Sequence, residues 1–388
     1  MKSYFLALFL VATSATAGTW YVDVNRPDDL GAGTNLVTAF KTIQAAVNVC
    51  GDGDTVLVND GHYLLSSTVN NAFSPYPSIT IKSINGPEVT IVDGNNSTRC
   101  FRIMGDTTID GFTITRGYGD PIGPYGDNYN GGGIYGSTMA ADDIVISNCI
   151  IENNVSEGLG GGVYGVLGNK LYNCVIRNNR SEDNGGGLAG VSTHNCLIYD
   201  NVVDHPTSMA GGGGVYNGLH VNSTIVYNTC DWRGGGAYLS INNSGLINCI
   251  VFGNTAGVEG DNLYYYNNPT LTSSCSPDLA HGVDGNSTNS PSFRDSAGKD
   301  YRLLPNSPCR NAGDNTSVST EHDLAGNQRI IDSIVDIGAY EYQGLTLLIN
   351  LQESFGLQSW TNTGKSIIWE VPIDSSNQFY RAKIEIID

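Results

Sequence analysis

One repeated pattern restricts the fold of this chain more than any other feature. An asparagine, a small residue, alternating aliphatic residues and a second asparagine recur at 148–154, 173–179, 195–201, 222–228 and 248–254. A glycine triplet, then a hydrophobic residue and usually a tyrosine, recurs at 131–135, 160–164, 185–189, 212–216 and 234–238. Repeats of about 20–30 residues are typical of leucine-rich repeats and of β-helices. Because leucine is sparse and glycine would weaken a helix, we predict an all-β chain: a right-handed parallel β-helix with three short strands per turn.

The alternation within each repeat predicts which side chains face the interior. Successive side chains alternate across a strand, so Cys149 and Ile151 point inward while Ile150 and Glu152 point outward. The asparagine before each cysteine falls at a bend, where asparagine tolerates a left-handed backbone. Asparagines on successive turns then stack into two ladders that hydrogen-bond along the axis. The first ladder comprises Asn148, Asn173, Asn195, Asn222 and Asn248, and the second Asn154, Asn179, Asn201, Asn228 and Asn254.

The chain has nine cysteines, an odd number, so at least one thiol has no partner within the chain. The inward stack runs Cys149, Cys174, Cys196, Ser223 and Cys249, with neighbouring turns about 4.8 Å apart. This in-register stacking is a poor geometry for disulfides, and we expect free buried thiols. Outside this stack, Cys275 and Cys309 are the pair that we expect to form a disulfide. The aligned thiols do not converge on one point, so the sequence indicates no metal site among them.

The first residues and the net charge bear on where the protein acts. An apolar run followed by Ala15-Thr16-Ala17 predicts a secretory signal peptide over residues 1–17. No later apolar run approaches the roughly 20 residues of a membrane span. With 19 basic and 38 acidic residues the net charge is −19, which disfavours nucleic acid and anionic membranes as partners. An anionic polysaccharide would need a bridging cation such as Ca²⁺. We expect a secreted, extracellular or cell-surface monomer.

The remaining segments predict a solenoid with two different ends. An N-terminal cap spans about 19–52, and the spacing of apolar residues from Phe40 to Cys50 predicts a short amphipathic helix that covers the open end. Regular turns follow over about 131–268, within a β-helix that spans 18–343. A closing segment spans about 291–343. Alternating residues in 344–388 predict a small C-terminal β module for surface retention, or for packing on the last turn.

Three groups of motifs resemble known protein families. The N-terminal motifs, Tyr21-Val-Asp, Phe40-Lys-Thr-Ile-Gln-Ala-Ala-Val and Gly53-Asp-Thr-Val, resemble the entry segment of pectate-lyase-superfamily β-helices. The glycine-tyrosine and asparagine-cysteine turns resemble those of polymorphic outer-membrane proteins. Residues 291–343 resemble the closing segment of choice-of-anchor proteins. The resemblance, over about 19–343, implies the β-helix fold and export; these families include enzymes and adhesins, so it leaves the activity open.

The motifs of the closing segment also contain charged residues. Asp323, Arg329, Asp336 and Glu341 match its pattern, and we interpret them as a structural ion-pair network. The catalytic signatures of two families with this fold are absent from the chain. Pectate lyases carry an Arg-x-Pro-x-x-Arg pattern, and polygalacturonases carry Asn-Thr-Asp and Gly-His-Gly. The nearest segments here are Asp142-Asp143 and Gly61-His62-Tyr63, which do not complete the second set.

The tyrosine of the glycine repeat is the candidate binding element. If the residue before it points inward, Tyr135, Tyr164, Tyr216 and Tyr238 point outward in one column, with Ala189 as its gap. Exposed aromatic rings, with Trp232 beside them, suit the apolar faces of sugars. The alternative is that stacked tyrosines only stabilise the parallel strands.

Charged residues in the turns that enter this column are the candidate catalytic groups. In β-elimination, Arg180, His205 and Arg233 would act as base or offset enolate charge, and Asp183, Asp204 and Asp231 would bind Ca²⁺. In hydrolysis, two of the same aspartates would act as an acid and base pair. The alternative is that these side chains are merely solvated turn residues. The sequence requires no cofactor, and a metal site stays undetermined.

Two functions remain open from the sequence. In the first, the protein binds or cleaves polysaccharide along a tyrosine-lined groove, and the chemistry is lyase-like rather than hydrolytic. In the second, it is a non-catalytic cell-surface or adhesion solenoid. Product formation from acidic or neutral polysaccharides would separate them.

Overall fold

A computed structural model describes residues 17–71, 76–119, 129–136, 143–166, 168–205 and 209–344, and the backbone of three later strands at 359–362, 366–373 and 378–385. The predicted signal peptide therefore lies almost wholly outside the described residues. The described residues of the first unit, which ends at 343, form a right-handed parallel β-helix with sheets that run along its axis, followed by a closing segment, which confirms the predicted fold class. Within the described residues, no helix is long and apolar enough to cross a bilayer.

Four parallel sheets, numbered in the order in which the chain visits them, form the walls. Sheet 1 contains Thr19–Val22, Thr55–Val58, Ile79–Ser83, Thr107–Asp110, Val145–Ser147, Lys170–Tyr172, Ser192–His194, Leu219–Val221, Gly245–Ile247 and Thr270–Thr272. Sheet 2 contains Gly61–Leu64, Thr90–Asp93, Thr113–Thr115, Ile150–Glu152, Val175–Arg177, Leu197–Tyr199, Thr224–Val226 and Ile250–Phe252. Sheet 3 contains Val155–Ser156, Arg180–Ser181, Val202–Val203, Thr229–Cys230 and Thr255–Ala256. Sheet 4 contains Val69–Asn70, Phe101–Ile103, Ile134–Gly136, Val163–Tyr164, Leu188–Ala189, Val215–Tyr216, Ala237–Leu239 and Leu263–Tyr265.

The regular turns have four strands each, so the prediction of three strands per turn was wrong. The additional sheet 3 strands are only two residues long. They arise because a residue with positive φ precedes each asparagine of the second ladder and bends the chain there, as at Asn178 (φ 54°) and Asp200 (φ 54°). The inward residues follow the predicted alternation, and Cys149 and Ile151 are both buried.

The two asparagine ladders differ in completeness. In the second ladder, Asn179 Nδ2 donates to Asn201 Oδ1 at 2.9 Å and Asn201 Nδ2 donates to Asn228 Oδ1 at 2.9 Å. The same bonding continues beyond the predicted members, to Asn262. The first ladder stops after Asn195, since Asn195 Oδ1 and Asn222 Nδ2 have no hydrogen-bond partner among the described residues, and Asn248 bonds instead to the backbone of Asp314 in the closing segment. The second ladder is therefore the continuous one.

Each glycine of a triplet meets a different constraint, as the triplet 185–187 shows. Gly185 adopts φ 80°, which an L-residue with a side chain disfavours. A Cβ on Gly186 would lie 2.3 Å from the carbonyl oxygen of Gly213 on the next turn. A Cβ on Gly187 would lie 2.7 Å from the Gly214 oxygen and 3.1 Å from the Asn201 side chain. The triplet thus lets successive backbones approach more closely than a side chain would permit.

A short helix lies against the first strands, as the apolar spacing predicts. Ile43–Val47 is shorter than the predicted segment, and the Thr42 side chain caps it by accepting from the Ala45 amide. Ile43, Ala46 and Val47 are buried against the first strands of the solenoid. A 3-10 helix, Leu36–Thr38, precedes it. The helix thus extends the hydrophobic interior at the N-terminal end.

The closing segment covers part of the outer face of sheet 2. It contains an antiparallel pair, Phe293–Asp295 and Asp300–Leu303, and the 3-10 helix Asn315–Ser317; another 3-10 helix, Val283–Gly285, precedes it. Tyr301 packs against outward residues of sheet 2 to form a second hydrophobic core. This cover explains why Leu197, Tyr199 and Ile250 are buried although they point away from the axis.

The predicted ion-pair network of the closing segment forms only in part. Within the described residues, Arg329 lies in no direct ion pair; its guanidinium donates to the carbonyls of Asp336 and Gly338. The backbone amides of Ile331 and Asp336 donate instead to the Glu341 carboxylate. Burial raises the pKa of Glu341 to about 7. The carboxylates of Asp323, Asp336 and Glu341 still lie close enough for their charges to act on Arg329, so the predicted residues do cluster, but without direct ion pairs.

All nine cysteines are free thiols, including the pair for which we predicted a disulfide. Cys275 and Cys309 are buried side by side in the second core, close enough for each thiol to influence the other, without a bond between them. Cys149, Cys174, Cys196 and Cys249 are free and buried, as the stacking argument predicts. The solenoid is therefore held together without covalent cross-links.

A buried histidine predicts a specific acid sensitivity. His220 is fully buried, accepts from Thr193 Oγ1 at Nδ1 (2.9 Å), and donates from Nε2 to the Asn217 carbonyl (3.1 Å). Burial lowers the pKa of His220 to about 4. Between pH 6.5 and 4, the histidine therefore binds a proton in the unfolded chain but stays neutral in the folded chain. The contribution of neutral His220 to the free energy of unfolding is therefore fully present above pH 6.5 and is lost as the pH falls towards 4. We expect this loss to reach about 3 kcal/mol.

The measurement compares urea unfolding of the wild type and His220→Gln at several pH values between 7 and 4. The variant is less stable at neutral pH, but the difference between the two proteins shrinks as the pH falls. Parallel pH profiles for the two proteins would contradict the prediction.

The second unit, residues 344–388, contains a three-stranded antiparallel sheet. Its strands are Ser359–Asn362, Ser366–Ile373 and Gln378–Glu385, and the middle one pairs with both others.

Candidate functional site

The outward face of sheet 4 carries one continuous column of side chains. Parallel pairing aligns Tyr135 with Tyr164, Tyr164 with Ala189, and Ala189 with Tyr216. The residues before them, such as Ile134, Val163 and Val215, are buried in the interior. In full, the column runs Asn70, Arg102, Tyr135, Tyr164, Ala189, Tyr216, Tyr238 and Tyr264.

The tyrosines of the column differ in exposure. Tyr135 is only 8% exposed because Met104 packs against it and the arginines at 99 and 102 lie over its ring. Tyr238 is 6% exposed beneath neighbouring aromatic rings. Tyr164 and Tyr216 are half-buried and remain accessible. The accessible part of the column is therefore its middle, whereas the sequence pattern predicts equal exposure for all four tyrosines.

The gap at Ala189 opens a cavity in this accessible part. The cavity has a volume of about 400 Å³ and lies between Tyr164 and Tyr216, which occupy the turns on either side of Ala189. Tyr164 contacts the ring of Tyr135 at an interplanar angle of 38°, and Tyr216 contacts that of Tyr238 edge-to-face at 70°, each at 5.4 Å between centroids. Both tyrosines also line the cavity. Its remaining lining residues are Leu159, Gly165, Val166, Gly168, Gly190, Asn217 and Ile241.

An aromatic cluster lies at the C-terminal end of the column. Tyr238, Tyr264 and Tyr266 contact one another at 5.1–5.6 Å between ring centroids. The Arg233 guanidinium lies 4.5 Å from the Trp232 ring centroid and 4.6 Å from that of Tyr264. Arg233 also pairs with Glu259 at 3.2 Å. The side chain that we predicted to offset enolate charge is thus enclosed by aromatic rings and neutralised by a carboxylate.

The turns entering sheet 4 bring together some of the predicted catalytic residues. Arg180 Nε lies 2.6 Å from Asp204 Oδ1, and Arg180 Nη2 lies 3.2 Å from Glu182 Oε1. The hydrogen-bonded pairing with Asp204 raises the pKa of Arg180, which keeps the guanidinium protonated and removes it as a base. Asp204 is likewise occupied. These residues lie close together as predicted, but they are paired with each other.

The other predicted catalytic residues do not join this pair. Asp183 accepts from the amide and the side chain of Asn184 and so stabilises its own turn. Asp231 is exposed, and His205 is half-buried. Among the residues that the structure describes, no three His, Cys, Asp or Glu side chains converge to hold a metal ion, so Asp183, Asp204 and Asp231 do not form the Ca²⁺ site that β-elimination would require.

Sequence reasoning missed three members of the column, Asn70, Arg102 and Tyr264. Tyr264 pairs with Tyr238, but its repeat reads Gly260-Asp261-Asn262, so alignment on the glycine triplet passes over it. Arg102 pairs with Tyr135 in a turn without a triplet. Asn70 pairs with Arg102 in another such turn. Alignment on the buried hydrophobic residue before each member, Val69, Phe101 or Leu263, would have found all three.

A second, larger cleft of about 750 Å³ lies between sheet 2 and the closing segment. Its cations are already engaged: Lys299 pairs with Asp200 at 2.6 Å and Arg302 with Asp300 at 2.6 Å. Among the described residues, the cleft is therefore lined by no unpaired lysine or arginine.

No protein-family model matches the chain, and no curated protein matches it. Among solved structures, the chain is similar to one titled "Crystal structure of pectate lyase Pel9A", with 17% sequence identity and a TM-score of 0.45. The similarity covers 84% of this chain and 97% of that chain. This similarity is in the backbone fold, and we assign no residue of this chain a role from it.

Proposed function

We propose that this protein is a secreted polysaccharide-binding β-helix that holds its ligand along the tyrosine column of sheet 4. The observation that carries the proposal is the cavity between Tyr164 and Tyr216, the two accessible tyrosines of the column. Aromatic rings bind the C–H faces of sugar rings, and a column of stacked strands repeats such contacts along one direction. A linear polymer matches this geometry. The proposed secretion rests on residues 1–17 of the sequence.

The charged residues favour binding over turnover. A lyase needs a base free to accept a proton and a cation to stabilise the enolate. Here Arg180 and Arg233 are paired with Asp204 and Glu259. Of the candidate acids for hydrolysis, Asp204 is held in the first of these pairs and Asp183 accepts from Asn184, which leaves only Asp231 exposed. The proposal is therefore a non-catalytic binding solenoid, which joins the carbohydrate-binding and cell-surface hypotheses of the sequence analysis.

The first test replaces both accessible tyrosines. We expect Tyr164→Ala combined with Tyr216→Ala to weaken binding of a recognised polysaccharide by about 10- to 100-fold, because two aromatic contacts are lost. Affinity electrophoresis over neutral and acidic polysaccharides identifies the ligand, and calorimetry measures the change. Reducing ends and the ultraviolet absorbance of unsaturated uronates are followed in the same samples.

The matched control is Tyr172→Ala, which removes a tyrosine from the outer face of sheet 1, where Tyr172 stacks on His194. This variant should bind like the wild type. Unchanged binding by the double variant would rule out the column as the site. Product formation with or without Ca²⁺ would replace the binding proposal with a catalytic one.

A further inference from the structure

We propose that the cavity at Ala189 is a slot for one uncharged sugar ring, which makes a neutral polysaccharide the ligand and excludes polyuronates. This inference rests on the proposed function and specifies its ligand class. It reverses the lyase-like expectation, whose substrate would carry a carboxylate on each ring.

The spacing of the turns sets how many rings fit. Tyr164 and Tyr216 are separated by two turns of the solenoid, about 9.6 Å along the axis. One ring stacked between two aromatic walls needs about 3.5–4 Å on each side, or about 7–8 Å in total, and a puckered pyranose takes up more than a flat ring. Two stacked rings would need a third such spacing. The slot therefore has the width for a single pyranose.

Ala189 creates this width. Elsewhere in the regular turns the same position carries a tyrosine, and rings on adjacent turns lie 5.4 Å apart between centroids, which leaves no room between them. At Ala189 the side chain ends at Cβ and is 1% exposed, so it forms a floor beneath the two walls. The absence of one ring thus produces a bounded space within an otherwise closed column.

Among the described residues, the lining of the slot contains no charged side chain. The ion pairs Arg180–Asp204 and Arg233–Glu259 lie in the turns that enter sheet 4. Most of the cavity wall comes from the turns that leave it, such as Gly165, Val166 and Asn217. A uronate carboxylate placed here would lose water without gaining a cation, in a chain of net charge −19. The absence of a cation in the lining and the negative charge of the chain therefore favour an uncharged sugar ring.

Polar groups at the rim suit sugar hydroxyls. The Tyr216 hydroxyl accepts from Ser240 Oγ at 3.3 Å, and Asn217 Oδ1 accepts from the Ser240 amide at 2.7 Å. Within the described residues, the Tyr164 hydroxyl has no hydrogen-bond partner, so it is free to bond to a ligand. Apolar walls with a few polar groups at the edge are the usual composition of a sugar subsite, and a hydrocarbon would leave the Tyr164 hydroxyl unmatched.

The test fills the slot with the residue that neighbouring turns carry. Ala189→Tyr completes the column, and its ring can stack on both sides as the others do, so we expect thermal stability to be retained. Ala189→Ser keeps the slot open and serves as the control. Calorimetry uses β-linked gluco- and manno-tetraoses and tetragalacturonate at physiological salt. We expect the wild type and Ala189→Ser to bind a neutral tetraose at least tenfold more tightly than Ala189→Tyr does, and more tightly than they bind tetragalacturonate.

Three results would contradict the inference, and each has a different consequence for the proposed function. If Ala189→Tyr binds like the wild type while the double tyrosine variant does not, the column binds glycan but the slot is not the subsite. If tetragalacturonate binds more tightly than the neutral tetraoses, the ligand class is wrong although the site stands. If no polysaccharide or oligosaccharide binds the wild type, the slot and the proposed function fall together.

Discussion

Gly186→Ala is expected to destabilise the solenoid by more than about 3 kcal/mol, although it adds only one methyl group. The new Cβ would lie 2.3 Å from the Gly213 carbonyl oxygen and 2.6 Å from the Val202 carbonyl carbon. Both neighbours are backbone atoms of the next turn, so no side chain can move aside to relieve the clash. The two turns must separate, which breaks the hydrogen bonds of sheet 4 beside them. Thermal unfolding followed by circular dichroism should show a Tm lower by roughly 5–10 °C.

Gly51→Ala is the matched control for this substitution. Gly51 is exposed, has no positive φ, and a Cβ there would meet no atom within 4 Å. We expect its Tm to equal or slightly exceed that of the wild type, because alanine restricts the unfolded chain more than glycine does. Equal Tm values for Gly186→Ala and Gly51→Ala would show that the close approach of the turns does not constrain the fold.

Asn201→Ala is expected to cost about 3–5 kcal/mol, the other large effect. Asn201 is fully buried, and its Oδ1 accepts from both the backbone N–H and the side chain of Asn179. Its Nδ2 donates to the Ile176 carbonyl and to Asn228 Oδ1. Alanine leaves several of these buried groups without partners, and each unsatisfied group costs about 1–3 kcal/mol. Urea unfolding at pH 7 measures the loss.

Asn178→Gly controls for the loss of an asparagine at the same bend. Asn178 is exposed and has φ 54°, a conformation that glycine adopts without strain. We expect a change of less than about 0.5 kcal/mol. A loss at Asn178 comparable with that at Asn201 would mean that the bend, and not the ladder, carries the stability.

The sequence predicted the repeated elements well because each is a local pattern with a direct steric or hydrogen-bonding cause. Period-two alternation placed Cys149 and Ile151 in the interior, and the stacking argument placed the cysteines as free thiols. It failed where two distant segments compete for one group. Asn248 left the first ladder because Asp314 of the closing segment binds it, and that pairing spans 66 positions.

The candidate site was predictable in outline and not in detail. Register followed from the repeat, so the column of tyrosines could be placed without a structure. The exposure of each ring could not, since Tyr135 is covered by Met104, far from it in the chain. The charged turns were predicted near the column, but their mutual pairing depends on side-chain directions that spacing does not specify.

By itself, the sequence determined the architecture: a parallel β-helix, its inward residues, and the residue types at its bends. These features follow from local sterics and from the sequence repeat, which places the same residue type at the same position of successive turns. Only the tertiary structure decided what the outer surface offers, because burial and charge pairing there arise between segments of unrelated sequence. It showed four strands per turn, a closing segment folded over sheet 2, and arginines already neutralised. It also showed that the single alanine of the column, a gap in the sequence pattern, is a cavity with two aromatic walls.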